Sequence, residues 1–160
     1  MIRRLAPLLL LAGCGLQPLY SGGSGGGVAQ ALAGVEVAPV QGKNGWLVVN
    51  ALKDRIAAEP GAAARYRLEI ELDDKIEGFG IRRDDAITRE RRTLRARYRL
   101  TDRGTGAVLL DATAGSDAGI DAVSSEYATI AAENTALERL AGEVADQIVA
   151  RIALYAKRTQ

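Results

Sequence analysis

Hydrophobic and polar residues along this chain repeat with a period that switches between two and three-to-four, and each switch marks an element. Val35 and Val37, followed by Val40, alternate with Glu36, Ala38 and Gln41, which predicts a short first strand ending near Pro39. Trp46, Val49, Leu52, Lys53 and Ile56 fall on one stripe of a helix over Trp46–Glu59, with Asn44 as its cap and Pro60-Gly61 as its stop. From Arg65 the period is two. Tyr66, Leu68, Ile70 and Leu72 point one way, and Arg65, Arg67, Glu69, Glu71 and Asp73 the other. The next run places Leu94, Ala96, Tyr98 and Leu100 inward, and Arg89, Arg91, Thr93, Arg95, Arg97 and Arg99 outward. Asp102-Arg103-Gly104-Thr105-Gly106 is turn chemistry, so Val108, Leu110, Ala112 and Ala114 return beside that strand as a hairpin. Finally Tyr127, Ile130, Asn134, Leu137, Ala141, Val144, Ile148 and Ile152 recur at steps of three and four, a long amphipathic helix from about Ser125 to Lys157. The order βαβββα predicts an α+β two-layer sandwich, with a mostly antiparallel sheet of about four strands and two helices on one face. The other face of the sheet stays exposed.

The chain begins differently. Met1–Arg4 is short and positive, and Leu5–Leu11 is short and apolar, the layout of a secretory signal peptide. A spanning helix needs about 20 apolar residues, and this run gives way to Gly13 and Cys14 well before that. Leu11-Ala12-Gly13-Cys14 resembles a lipobox, at which bacterial lipoproteins are cut and their cysteine thiol acylated. Residues 1–13 are then the signal peptide, and Cys14 is the lipidated first residue of the mature protein. Multiple acyl chains on one cysteine anchor a protein stably. Gly15 stands where inner-membrane retention would place Asp, so the resemblance implies the outer membrane, on its periplasmic side. Ser21–Gly27 is a glycine-serine tether. Residues 14–30 thus form the lipidated N-terminus and tether, and residues 31–160 a single domain.

Composition narrows the chemistry. The 160 residues contain one cysteine and no histidine, and the formal net charge is +1. An internal disulfide is excluded, and the usual general base and metal ligand are missing. Ser124, Ser125 and Thr129 carry hydroxyls, but no G-x-S-x-G or Ser-x-x-Lys pattern accompanies them, and they read as capping groups at a helix start. We expect no enzyme activity and no cofactor. Near-neutrality argues against general nucleic-acid binding.

The outward arginines are the unusual feature. Glu69, Glu71 and Asp73 are expected to pair across strands with some of Arg89, Arg91 and Arg95, and exposed pairs of this kind contribute about 0 to 1 kcal/mol each. On that reading the face is solvated and its charges help to set register. Arg65, Arg67, Arg97 and Arg99, however, lie toward one end with few acids nearby except Asp111. Guanidinium forks match phosphate oxygens bidentately, so Arg65, Arg67, Arg95, Arg97 and Arg99 are candidates for an anionic, phosphorylated ligand. Acyl chains of such a ligand would need shelter elsewhere. Trp46 and the Phe79-Gly80 tip are candidates for partner contact, against the plainer alternatives of a core tryptophan and an ordinary turn.

Cys14-Gly15-Leu16-Gln17-Pro18-Leu19-Tyr20 resembles the Cys-Gly-Phe-x-Pro-Leu-Tyr start of one branch of the lipopolysaccharide-assembly lipoprotein family (LptE), with Leu16 in place of Phe. The similarity continues through the order of elements into the final helix, at Tyr127, Ala131, Glu133, Asn134 and Ala136. The resemblance implies an α/β plug inside the outer-membrane β-barrel of the lipopolysaccharide translocon (an LptD-like partner), which aids the barrel's assembly and binds lipopolysaccharide. The lipid A phosphates would then be the groups that meet the arginines. An auxiliary lipoprotein of a periplasmic lipid transport system, or a passive assembly factor without a ligand, are the competing expectations.

Overall fold

The computed structural model describes residues 26–56, 63–81, 87–123 and 125–159. The signal peptide, Cys14, most of the tether, Pro60-Gly61 and Ser124 lie outside these residues. The described chain runs α1 (Gly27–Ala33), β1 (Val35–Val37), α2 (Gly42–Arg55), β2 (Tyr66–Ile81), β3 (Ile87–Asp102), β4 (Val108–Asp121) and α3 (Glu126–Arg158). The strands form one sheet in the order β1-β2-β3-β4.

β2, β3 and β4 form the expected antiparallel meander. β1 instead pairs parallel to β2, Val35 opposite Tyr66 and Val37 opposite Leu68, so the sheet is mixed. Parallel neighbours need a crossover, and α2 supplies it. All the described helices lie on one face, as the alternation demanded. Leu68 and Ile70 of β2, Leu94, Ala96, Tyr98 and Leu100 of β3, and Ala114, Ala118 and Ile120 of β4 are buried there. Against them α3 sets Leu137, Leu140, Ala141, Val144, Ile148 and Ile152, also buried. Alanines on the inner face of β4 let α3 come close, and the Gln147 side chain both donates to and accepts from the backbone of Gly115.

Three local features differ from the sequence reading. Residues 27–30, assigned to the tether by their glycine-rich surroundings, are the start of α1, and Val28 and Leu32 of that helix are buried in the core. α2 begins at Gly42, before the expected Trp46; Asn44 lies within its first turn and accepts from the Gly45 amide at 2.8 Å. Its buried stripe is Gly45, Val48, Val49 and Leu52, and Trp46 is 63% exposed. Gly45 explains the shift: a Cβ there would stand 2.6 Å from the Val40 carbonyl oxygen, so only glycine lets this turn pack on the preceding loop. The third difference is length. β2 runs on to Ile81 and β3 starts at Ile87, several residues beyond the clean alternation.

α2 and α3 run parallel. Lys43 Nζ donates to Asn134 Oδ1 near the start of α2 (2.6 Å), and Arg55 holds Asp146 near its end (2.6 and 3.1 Å). At about 3.3 Å per residue, β2 with its 16 residues spans roughly 50 Å. The domain therefore has two distant ends. One gathers α1, the β3–β4 turn and the last turn of α3. The other gathers the far ends of β2, β3 and β4 and the first turn of α3.

α3 supplies much of the core, so Leu140→Ala, at a fully buried position, is expected to cost about 2 to 5 kcal/mol. Urea unfolding should show a lower midpoint with an unchanged slope.

Candidate functional site

The outer face of the sheet carries the charges. Register places Glu69 opposite Arg99, Glu71 opposite Arg97, Asp73 opposite Arg95 and Glu77 opposite Arg91. From β4, Asp111 stands opposite Arg99 and Asp121 opposite Arg89. The β3 arginines thus form a central column with acids on both sides. Of the pairings expected from sequence, Asp73 with Arg95 is in register; the others are shifted because both strands are longer than the alternation suggested.

This geometry also revises the expectation that few acids lie near the arginine-rich end. Arg97 reaches both Asp111 oxygens (3.2 and 3.1 Å), and Arg99 lies 3.8 Å from the same carboxylate. Arg97, by hydrogen bond and then by charge, holds Asp111 below the usual carboxylate range, and its own pKa is raised in turn. Arg67 pairs with Glu69 at 3.1 Å and Arg65 with Asp102 at 3.5 Å. Among the described residues Arg95 has no ion pair within 4.0 Å, although Asp73 faces it across the ladder. These side chains are exposed and carry five-donor forks, more donors than the acids use. The face is open: a recess of about 30 Å³ between Glu69, Glu71, Arg97, Tyr98 and Arg99 is water-sized. An anionic ligand would lie on this surface rather than enter it.

A second charged group, on the inner face, was missed from sequence. Arg92 forms a two-pronged pair with Asp74 (2.9 and 2.6 Å) and donates to the Glu133 carbonyl of α3 at 2.9 Å. The two side chains are only 11% and 13% exposed. Here β2, β3 and the first third of α3 are joined by charge rather than by apolar packing. Glu90, on the same face, has a buried Oε2 without a hydrogen-bond partner. Burial first, and the Glu133 carboxylate second, push its pKa up. The signal was legible: extending the period of two from Leu94 and Leu72 puts Glu90, Arg92 and Asp74 inward.

The remaining candidates separate cleanly. Ser125 caps α3 by accepting from the Ala128 amide at 3.4 Å, and the Thr129 hydroxyl donates to the Ser125 carbonyl and accepts from the Val123 amide, so both hydroxyls are engaged at the helix start. Trp46 is exposed on α2, and Phe79 is 41% exposed beneath the Arg91 guanidinium, 5.6 Å from its ring centre. Ile76, Val123, Tyr127 and Ile130 are also exposed and, with Phe79, lie at the end of the domain away from α1. No group of residues that could hold a metal ion occurs among the described residues. No described helix is long and apolar enough to cross a membrane.

The family model described as lipopolysaccharide-assembly, LptE, matches residues 32–152. A candidate lipoprotein from Caulobacter crescentus CB15, solved by crystallography, is 27% identical, with a TM-score of 0.70 over 84% of this chain and 98% of that one. Rare lipoprotein B from Shewanella oneidensis shares the fold at 10% identity, with a TM-score of 0.61 over 78% of this chain and 96% of that one. A minor lipoprotein from Acinetobacter baumannii does so at 15% identity, with a TM-score of 0.57 over 75% and 88%. No curated protein matches the chain significantly.

The two charged groups should respond differently to mutation. Arg92→Ala strands Asp74 in a nearly buried site and is expected to cost about 3 kcal/mol in chemical denaturation, whereas Arg97→Ala should leave stability near that of the parent. Glu90 has a raised folded-state pKa, so its ionisation opposes folding at neutral pH, and the penalty fades as pH falls toward the ordinary carboxylate range. Glu90→Gln should therefore raise the melting temperature at pH 7, with the gain vanishing near pH 4; a gain of equal size at both pH values would contradict this origin.

Proposed function

The chain belongs to the lipopolysaccharide-assembly family LptE, and from that premise we propose that it is an outer-membrane lipoprotein that plugs and helps to assemble the β-barrel of the lipopolysaccharide translocon, binds lipopolysaccharide and aids its insertion. The observation that carries this reading is the family match over residues 32–152, on a compact α+β domain preceded by a lipobox. Cys14 is the lipidated residue and holds the protein on the periplasmic side of the outer membrane. The domain serves by binding and shape, with no catalytic step. Partner contact falls on the exposed aromatic residues Trp46 and Phe79, whose large apolar surfaces gain most from being covered.

Arg65, Arg67, Arg95, Arg97 and Arg99 are the groups proposed to meet lipid A phosphates. Arg67, Arg95, Arg97 and Arg99 project from paired strands, so the ladder fixes their spacing on one side of the sheet, and Arg65 stands just before β2 beside Asp102. Phosphate competes with Asp111 and Glu69 for those donors and adds a second acceptor to forks that the acids leave partly free. The acid column itself favours a second reading, a passive assembly factor whose arginines only set register.

Reversing Arg97 and Arg99 together to Glu separates the two. Binding of purified lipopolysaccharide to the mature chain is expected to weaken about tenfold or more, as two charge-assisted contacts become repulsions, while circular dichroism stays unchanged. Undiminished binding and barrel assembly would leave the passive reading standing. Exporting residues 15–160 behind an ordinary cleavable signal peptide should release a folded protein without an acyl mass into the periplasm; membrane retention of that chain would contradict lipid anchoring.

A further inference from the structure

We propose that the free edge of β4 is a strand-addition surface for a second copy of this chain, and that the Gln147 side chain of α3 holds it shut. β4 is the last strand of the sheet and, among the described residues, pairs with β3 alone. Its 14 residues leave a long row of backbone N–H and C=O groups facing away from β3. Such an edge is a template for another strand unless lysine or proline interrupts it, and Val108–Asp121 contains no lysine, arginine or proline.

Gln147 supplies the missing protection at one rung. Its side-chain oxygen accepts from the Gly115 amide at 3.2 Å, and its nitrogen donates to the Gly115 carbonyl at 3.1 Å. These are the two bonds that the facing residue of an added antiparallel strand would make, so the side-chain amide stands in for a peptide group. Glu143, one turn earlier on the same side of α3, accepts from the Ser116 hydroxyl and keeps the helix aligned over this rung. Gln147 is itself exposed, so these two bonds, and not burial, lay it along the strand.

Gly115 turns both backbone groups away from β3, and alternation along the strand gives Asp111, Thr113, Asp117, Gly119 and Asp121 the same orientation. Self-pairing about a twofold axis through Gly115 suits the side chains. It sets Thr113 against Asp117 of the second copy, Asp111 against Gly119, Ala112 against Ala118 and Leu110 against Ile120, and no acid meets an acid. A slip of two residues in either direction brings Asp111 opposite Asp117 or Asp121, and like charges directly opposite repel. The alignment that suits a second copy is thus centred on the rung that Gln147 occupies. With Gln147 in place the copies stay separate, and its release lets two four-stranded sheets join into one. The inference goes beyond the proposed function and does not rest on it.

The test is sedimentation velocity on residues 15–160 at low ionic strength. The parent is expected to be monomeric, and Gln147→Ala to dimerise at least about tenfold more tightly, because two competing hydrogen bonds are lost on each copy. Gln147→Met, similar in length and without the amide, serves should the alanine variant melt early. Gly119 checks the register, since a side chain there meets nothing within 4 Å and charge enters without disturbing the fold. Added to Gln147→Ala, Gly119→Asp faces Asp111 of the second copy and should weaken the dimer several-fold, whereas Gly119→Lys should strengthen it. Neither change acts on pairing through β1 or β2 at the other side of the sheet. A peptide of residues 108–121 should block association, and a scrambled peptide should not. A folded Gln147 variant that stays monomeric at every concentration, or a dimer indifferent to the charge at Gly119, would overturn the proposal. Equal inhibition by the scrambled peptide would mark a surface open to any strand and overturn the choice of a second copy.

Discussion

The register of β3 is the constraint on which the other elements depend. It is the inner strand between β2 and β4, and a slip of one residue would send Leu94, Ala96, Tyr98 and Leu100 to solvent and turn five arginines toward the helices. The apolar side excludes that slip by burial. The charged side excludes slips of two residues less forcefully, because like charges would then meet at some rungs. With the meander fixed, α3 has one continuous surface to cover, and α2 and α1 pack beside it.

That arrangement leaves a domain with two unlike surfaces. Helices shield the inner face of the sheet, and the outer face is a stiff array of guanidinium and carboxylate groups in near balance. Balance suits the proposed role beside an anionic lipid layer, since unopposed arginines would bind any such surface. Donors beyond those used by the acids keep phosphate recognition within reach.

Most of the fold was legible because the core is simple. Alternation in β2, β3 and β4 and the long stripe of α3 each bury one face, and periodicity reports that directly. α1 was not legible: Gly27–Ala33 is too short for a period to emerge, and glycine-rich residues precede it. The parallel placement of β1 was hidden as well, since strand direction leaves no mark on a three-residue pattern. Trp46 misled because a large apolar side chain fits any stripe drawn near it, whereas Gly45, the residue that touches the preceding loop, contributes nothing to a hydrophobic pattern. The arginine face was seen, but its acid partners were misassigned once the strand ends were drawn short. The Arg92–Asp74 clamp was passed over because charged residues at inward positions look like the end of a strand, and here they continue it. No period in sequence could have revealed the recess beside α1, which arises where small residues of α1 and α3 meet.

The central claim is partnership with the lipopolysaccharide translocon, and co-purification tests it most directly. The tagged, lipidated chain is captured from its native outer membrane in mild detergent, and the accompanying protein and lipid are identified by mass spectrometry. A large β-barrel together with lipopolysaccharide is the predicted result; an inner-membrane transporter complex, or no stable partner, would contradict it and favour an auxiliary role in periplasmic lipid transport.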